Sequence, residues 1–251
     1  VNKTALVTGG DRNVGQETAL ALADKSIDII ITYNVRNDLA EQTVNELLSK
    51  GVKAKAFQID FSNTSGISNL VENVKKTLEE WNKDGLDILI NNAGILRIAT
   101  FDRITEEDLD ANYNINFKSV LFLTQSLLPV LKDGGRIVNI GSRTSQIAFA
   151  PLISYGPIKA AVQSLTLYMA SFLGKRQITV NAVSPGGLDD DFNANLFNNI
   201  LPQARGYMAS NTALGRIGFP NDVSKVICFL CSDEAAFING AIIPIDGGYH
   251  L

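Results

Sequence analysis

The sequence predicts a doubly wound α/β fold, about seven parallel strands in one sheet with helices packed on both faces. Three observations lead there. Apolar runs of strand length recur at 4–8, 27–33, 53–59, 86–90, 136–140, 179–183 and 241–245, and segments of helical period fill the intervals at 14–23, 39–48, 67–81, 109–131, 154–173 and 223–231. Runs such as Ile29-Ile30-Ile31 and Ile88-Leu89-Ile90 are apolar on consecutive residues, the pattern of strands covered on both sides. No repeat, low-complexity tract or Pro/Ser-rich linker divides the chain, so residues 1–251 read as a single domain joined by right-handed crossovers.

Composition narrows the class. Hydrophobic residues make up 45% and charged residues 19% of the chain, as in an ordinary folded domain. The 22 basic and 26 acidic residues give a net charge of -4, and acids interrupt the basic clusters, which argues against a nucleic-acid partner. The start of the chain, Val1-Asn2-Lys3-Thr4, carries no basic leader, and no apolar stretch is long enough to span a bilayer. A cytoplasmic location with no membrane partner is the expectation. Cys228 and Cys231 have the spacing of a zinc pair, but further ligands are lacking, His250 being the only histidine. They read instead as packing residues of the helix at 223–231, with no metal expected.

The first strand runs into Thr8-Gly9-Gly10-Asp11-Arg12-Asn13-Val14-Gly15, which opens the first helix. A glycine turn at that place lets backbone N–H groups and the positive helix end hold a pyrophosphate, so Gly9, Arg12, Asn13, Val14 and Gly15 are candidate dinucleotide contacts. The second strand ends in Ile31-Thr32-Tyr33-Asn34-Val35-Arg36-Asn37, where a carboxylate would hold the ribose 2′-hydroxyl of NAD. Asp28 comes too early and Asp38 already enters the next helix. Arg12 and Arg36 suit a 2′-phosphate instead, with Asn34 beside them, so NADP(H) is favoured and NAD(H) stays possible.

Tyr155 and Lys159 are four residues apart, one turn along one helix face. An ammonium beside a phenol, with a cationic nicotinamide nearby, lowers the phenol's pKa toward the working range and makes it an acid/base. Pro157, between them, falls in the first turn, where no N–H is needed. Ser142 ends the fifth strand at the ligand-binding edge of such a sheet, 13 residues before Tyr155. The Asn-rich stretch 188–213 after the sixth strand reads as an irregular substrate lid.

These segments together resemble the short-chain dehydrogenase/reductase family, in its 3-oxoacyl-reductase and carbonyl-reductase branch, with matches from Thr4 to Gly248. In the family motif Thr-Gly-x-x-x-Gly-x-Gly, Gly9 and Gly15 match and Asn13 replaces the middle glycine. The resemblance implies that Asp60, in Gln58-Ile59-Asp60-Phe61, contacts the adenine. It implies that Asn92 and Gly94, in Asn91-Asn92-Ala93-Gly94, approach the adenosine ribose, and that Pro185, Gly186 and Leu188 border the nicotinamide. Ser142 would polarise a carbonyl oxygen, Tyr155 protonate it, Lys159 position the ribose, and Asn116 hold a water of a proton relay. Gly215-Arg216-Ile217-Gly218-Phe219-Pro220 and Asp246-Gly247-Gly248 complete the match.

Asp190 departs from the family's usual threonine, within Asp189-Asp190-Asp191, and an acidic run beside the cleft argues against an anionic substrate. What the resemblance implies is reversible, NAD(P)H-dependent reduction of a small-molecule ketone, aldehyde or 3-oxoacyl group to an alcohol. It also implies a homotetramer built on helices 109–131 and 154–173. The competing reading is a catalytically impaired dinucleotide-binding regulatory or structural subunit, kept open by Asn13 and Asp190.

Overall fold

A computed structural model describes residues 2–251. Strands β1 (Thr4–Val7), β2 (Asp28–Tyr33), β3 (Ala54–Gln58), β4 (Leu86–Asn91), β5 (Leu131–Ile140), β6 (Thr179–Pro185) and β7 (Ile242–Ile245) form one parallel sheet in the order β3-β2-β1-β4-β5-β6-β7. The helices are α1 (Asn13–Ala23), α2 (Asn37–Ser49), α3 (Ile67–Glu80), α4 (Glu106–Tyr113), α5 (Ser119–Leu127), α6 (Tyr155–Leu173), α7 (Asp191–Asn195), α8 (Ala204–Ser210) and α9 (Pro220–Leu230). Strand order reverses between β1 and β4, which opens a crevice at the carboxyl edge.

The unbroken apolar runs follow from coverage on both sides. Ala5, Val7, Ile29, Ile31, Ile88 and Ile90 pack against Leu22 of α1, Leu47 of α2 and Ile227 of α9. Their alternating neighbours Leu6, Ile30 and Leu89 pack on the opposite face against Val74 of α3, Leu123 of α5 and Met169 of α6. Each such side chain, fully withdrawn from water, stabilises the fold by roughly 1.5–3 kcal/mol before entropy is counted. Below the crevice a buried polar tie crosses the strands. The Asn91 amide donates to Asn139 Oδ1 at 2.8 Å and Thr124 Oγ1 at 3.1 Å, and Asn139 donates to Thr166 Oγ1 at 3.0 Å.

Two segments differ from the sequence expectation. Residues 109–131 are not one helix: α4 passes through a π-helical turn, Asn114–Lys118, into α5, which ends at Leu127, and Leu131 already pairs with Leu86 in the sheet. Pro129 lacks the N–H that a continuing helix requires, and the apolar Leu131 mimics helical period while serving a strand. Residues 188–213 are not irregular. They hold α7, a π turn at Leu196–Ile200 and α8, packed around Leu196, Phe197, Ala204 and Ile217. Helices of 5 and 7 residues are too short to display a period of 3.6 in sequence.

Candidate active site

The glycine turn is clamped between the ends of β2 and β4. Gly9 N–H donates to Thr32 Oγ1 at 3.1 Å and Gly10 N–H to the Thr32 carbonyl at 2.9 Å, while the Asn92 amide donates to the Thr8 and Gly9 carbonyls at 2.8 and 3.0 Å. Gly9 has φ +61°, and a Cβ on Gly15 would stand 2.0 Å from the Gly9 carbonyl oxygen, so both positions require glycine. Asn13 adopts φ 52°, the left-handed conformation the family's glycine would take. The substitution thus preserves the turn, and Asn13 Oδ1 also accepts the Asp191 N–H of α7 at 3.4 Å. Arg12 offers α1 no side-chain cap and its first turn holds no acid, which leaves the positive helix end, with Val14 and Gly15, open to a pyrophosphate.

At the outer end of the cleft, Arg12, Asn34, Arg36 and Asp60 line one cavity with Asp11. Asp60 lies in a local turn rather than capping α3, accepting Ser62 N–H at 2.8 Å and Ser62 Oγ at 2.9 Å. Arg36 is not a free cation. Asp38 grips it bidentately, with Nε to Oδ1 at 2.9 Å and Nη2 to Oδ2 at 2.7 Å, and this hydrogen-bonded pairing holds the Asp38 carboxyl down at about 2. Sequence reading set Asp38 aside as the start of α2; the first helical turn points it back at Arg36. Asp11 was not singled out at all, yet its side chain is nearly buried, 4.0 Å from Arg12 Nε. Burial raises its pKa against the pull of its own backbone and Arg12.

The cleft continues to the end of β5 and the start of α6. Ser142 Oγ accepts the Thr144 N–H at 3.2 Å and shares a 2.8 Å hydrogen bond with Thr144 Oγ1. Tyr155 is the first residue of α6 and Lys159 follows one turn later; both are buried, and the Lys159 ammonium stands 5.6 Å from the Tyr155 ring centre. Lys159 Nζ donates to the Ile140 carbonyl at 2.8 Å. Burial lowers the Lys159 pKa to about 8. Burial also raises the Tyr155 phenol well above its ordinary value, the Asp190 charge adding to this and a hydrogen bond with Ser142 opposing it. The lowering expected from the Lys159 ammonium together with an oxidised nicotinamide has to act against this burial.

Asn116 sits in the π turn, fully buried. Its Oδ1 accepts the Ile95 N–H at 3.3 Å, and its amide donates to the Ile95 carbonyl at 3.0 Å and to Asn112 Oδ1 at 3.2 Å. Asn112 in turn donates to Ser154 Oγ at 2.6 Å, which ties the π turn to the residue preceding Tyr155. A Cβ on Gly94 would fall 2.7 Å from Asn116 Oδ1 and 3.8 Å from Lys159 Nζ, so Gly94 keeps the space between them clear. Asn112 escaped sequence reading; its spacing of four from Asn116 was the available signal.

The other wall comes from segments distant in sequence. Pro185, Gly186 and Leu188 border the cavity where β6 ends, and Phe192 of α7 sets its ring 6.3 Å from that of Tyr155. Arg143, directly after Ser142, is drawn to Asp246 beyond β7, Nε to Oδ2 at 2.5 Å, with both side chains largely buried. Neither Phe192 nor this pair has a local sequence signature.

Known proteins give the architecture its lineage. The family described as Enoyl-(Acyl carrier protein) reductase matches residues 9–250. A short chain dehydrogenase of Claviceps purpurea (strain 20.1) is 33% identical over 98% of this chain and 95% of its own. Among solved structures, a short chain dehydrogenase from Burkholderia cenocepacia J2315 in complex with NADP superposes with a TM-score of 0.90 at 36% identity, over 99% of this chain and 98% of that one. The landomycin C-6 ketoreductase LanV with bound NADP and rabelomycin gives 0.90 at 30% identity, over 99% and 96%. With the seven-stranded sheet and the cleft already in place, these matches show that the chain belongs to the short-chain dehydrogenase/reductase family.

Proposed function

We propose that the protein reversibly reduces a ketone to its alcohol with NADP(H) as the preferred hydride carrier. The observation that carries this reading is the convergence of Ser142, Tyr155 and buried Lys159 on one cavity at the end of β5, continuous with the glycine turn. When bound, the dinucleotide supplies hydride to the carbonyl carbon or takes it back. Ser142 donates a hydrogen bond to the carbonyl oxygen, and Tyr155 transfers its proton to that oxygen as negative charge grows there. Lys159 orients the ribose and returns the proton to Tyr155, and Asn116 holds the water that connects Lys159 to solvent through the space Gly94 leaves open. Gly9, Asn13, Val14 and Gly15 hold the pyrophosphate, and Asn34, Asp60, Asn92 and Gly94 the adenosine. Arg12 and Arg36 take the 2′-phosphate, and Pro185, Gly186 and Leu188 the nicotinamide. Residues 188–213 act as the lid.

NADP bound in the Burkholderia and LanV structures supports the cofactor, and the ketoreductase activity named for LanV supports the substrate class. NAD(H) is the weaker partner, since β2 ends at Tyr33 with no carboxylate placed to hold the ribose 2′-hydroxyl of NAD. The test is a panel of ketones, acetoacetyl thioesters and sugars assayed with NADPH and NADH in parallel. Faster ketone turnover with NADPH is expected; equal or better rates with NADH would overturn the cofactor assignment.

The same reading includes a homotetramer. Leu167, Tyr168 and Phe172 stand exposed on α6, and Leu109, Tyr113 and Phe122 on α4 and α5, a larger apolar surface than isolated exposed residues would give. Scattering is expected to return four times the 27.1 kDa chain mass, and the single-chain mass would refute it. Among the described residues no helix is long and apolar enough to cross a membrane, and the free thiols Cys228 and Cys231 support a cytoplasmic location.

A further inference from the structure

Beyond Ser142 and Tyr155, the cavity is walled by Ile147, Phe149, Leu152, Phe192, Leu196 and Met208. These are apolar surfaces that offer a substrate burial and little hydrogen bonding. Arg143, which lines the cavity, is paired with Asp246, and Arg205 is paired with Asp189. Lys159 is turned to the Ile140 carbonyl. Asp190 differs from all of these: it lines the same cavity, and among the described residues it belongs to no ion pair. Its Oδ1 accepts the Asn193 backbone N–H at 3.0 Å and the Asn193 side-chain amide at 2.8 Å, which fixes the carboxylate at the start of α7. It shares this cavity with Tyr155, and Phe192, two residues further along, sets its ring 6.3 Å from that of Tyr155, so Asp190 borders any carbonyl placed there.

We infer that Asp190 is a specificity-determining residue that repels anionic carbonyl compounds and restricts this active site to neutral, apolar aryl ketones. The inference rests on Tyr155 marking the carbonyl's position. A keto acid or a phosphate-bearing thioester would bring its charge into a partly desolvated cavity against a fixed carboxylate, with Arg143 of the cavity wall already paired to Asp246. Repulsion between like charges at such separations is large where water is scarce. A neutral ketone carries no charge for Asp190 to oppose and packs against the apolar walls.

Asp190→Asn separates charge from structure, because asparagine caps a helix as well as aspartate does. With the protein loaded with NADP, equilibrium binding of naphthol and naphthoate is read from the probes' own fluorescence at neutral pH. The wild-type protein is expected to prefer naphthol, and the variant to narrow that preference at least about tenfold by binding naphthoate better, with naphthol affinity unchanged. Turnover of acetophenone against its ring carboxylate follows the same pattern. An unchanged preference in the variant, equal binding of both probes by wild type, or binding of neither overturns the inference. Because the binding arm needs no chemistry, the expected shift without turnover of any ketone would refute the proposed reaction and leave the charge filter standing.

Discussion

Replacing Tyr155 with phenylalanine is expected to slow carbonyl reduction by roughly a thousandfold while NADPH affinity stays within about threefold. The phenol belongs to the first residue of α6, is buried, and lies in one cavity with Ser142 and beside Lys159. Phenylalanine keeps the ring, its packing against Phe192 and the helix start, and removes only the hydroxyl that carries the transferable proton. Because burial and the Asp190 charge hold the phenol protonated well above neutrality, the proton is available for reduction across the neutral range. Alcohol oxidation needs the phenolate, so its rate is expected to climb with pH where reduction does not. Parallel pH profiles of the two directions, with dinucleotide binding by fluorescence, check this. Unchanged turnover in the variant would remove Tyr155 as the acid.

Lys159→Met is expected to abolish turnover to a similar extent and, in the same protein, to raise stability. Burial brings the Lys159 pKa from 10.5 to about 8 in the folded chain, so folding at neutral pH carries the cost of a desolvated ammonium, about 3 kcal/mol. Loss of the hydrogen bond to the Ile140 carbonyl returns about 1 kcal/mol, leaving a net gain of about 2 kcal/mol for the variant. The sign follows from proton counts. Between the folded and unfolded values the unfolded chain binds the extra proton, so the cost is full below pH 8 and fades as pH rises through 10.5. Denaturant melts at neutral and alkaline pH check it: the variant's advantage should be largest at neutrality and vanish near the top of that window. A destabilised variant at pH 7 would contradict the burial account.

How much of this was legible in the sequence differs from residue to residue. Ile29-Ile30-Ile31 announced a strand covered on both faces because burial leaves no room for a polar alternation. The Tyr155 to Lys159 spacing was legible because one helical turn is a local rule, and the glycine turn because Gly9 takes φ +61° and a Cβ on Gly15 would stand 2.0 Å from the Gly9 carbonyl, so both positions admit only glycine. Pro129 carried enough information to end α5, but the apolar Leu131 masked it. The short helices of the 188–213 segment were invisible because they are stabilised by their shared cluster rather than by their own period.

The sequence by itself therefore determined the strand and helix alternation, the glycine turn and the one-turn spacing of Tyr155 and Lys159, all set by interactions within a few residues. Tertiary structure alone decided the rest. It turned Asp38 onto Arg36, joined Arg143 to Asp246, linked Asn112 to Ser154 and brought Asp190 and Phe192 over Tyr155. It also buried Tyr155, because how completely distant segments exclude water is encoded by no local spacing.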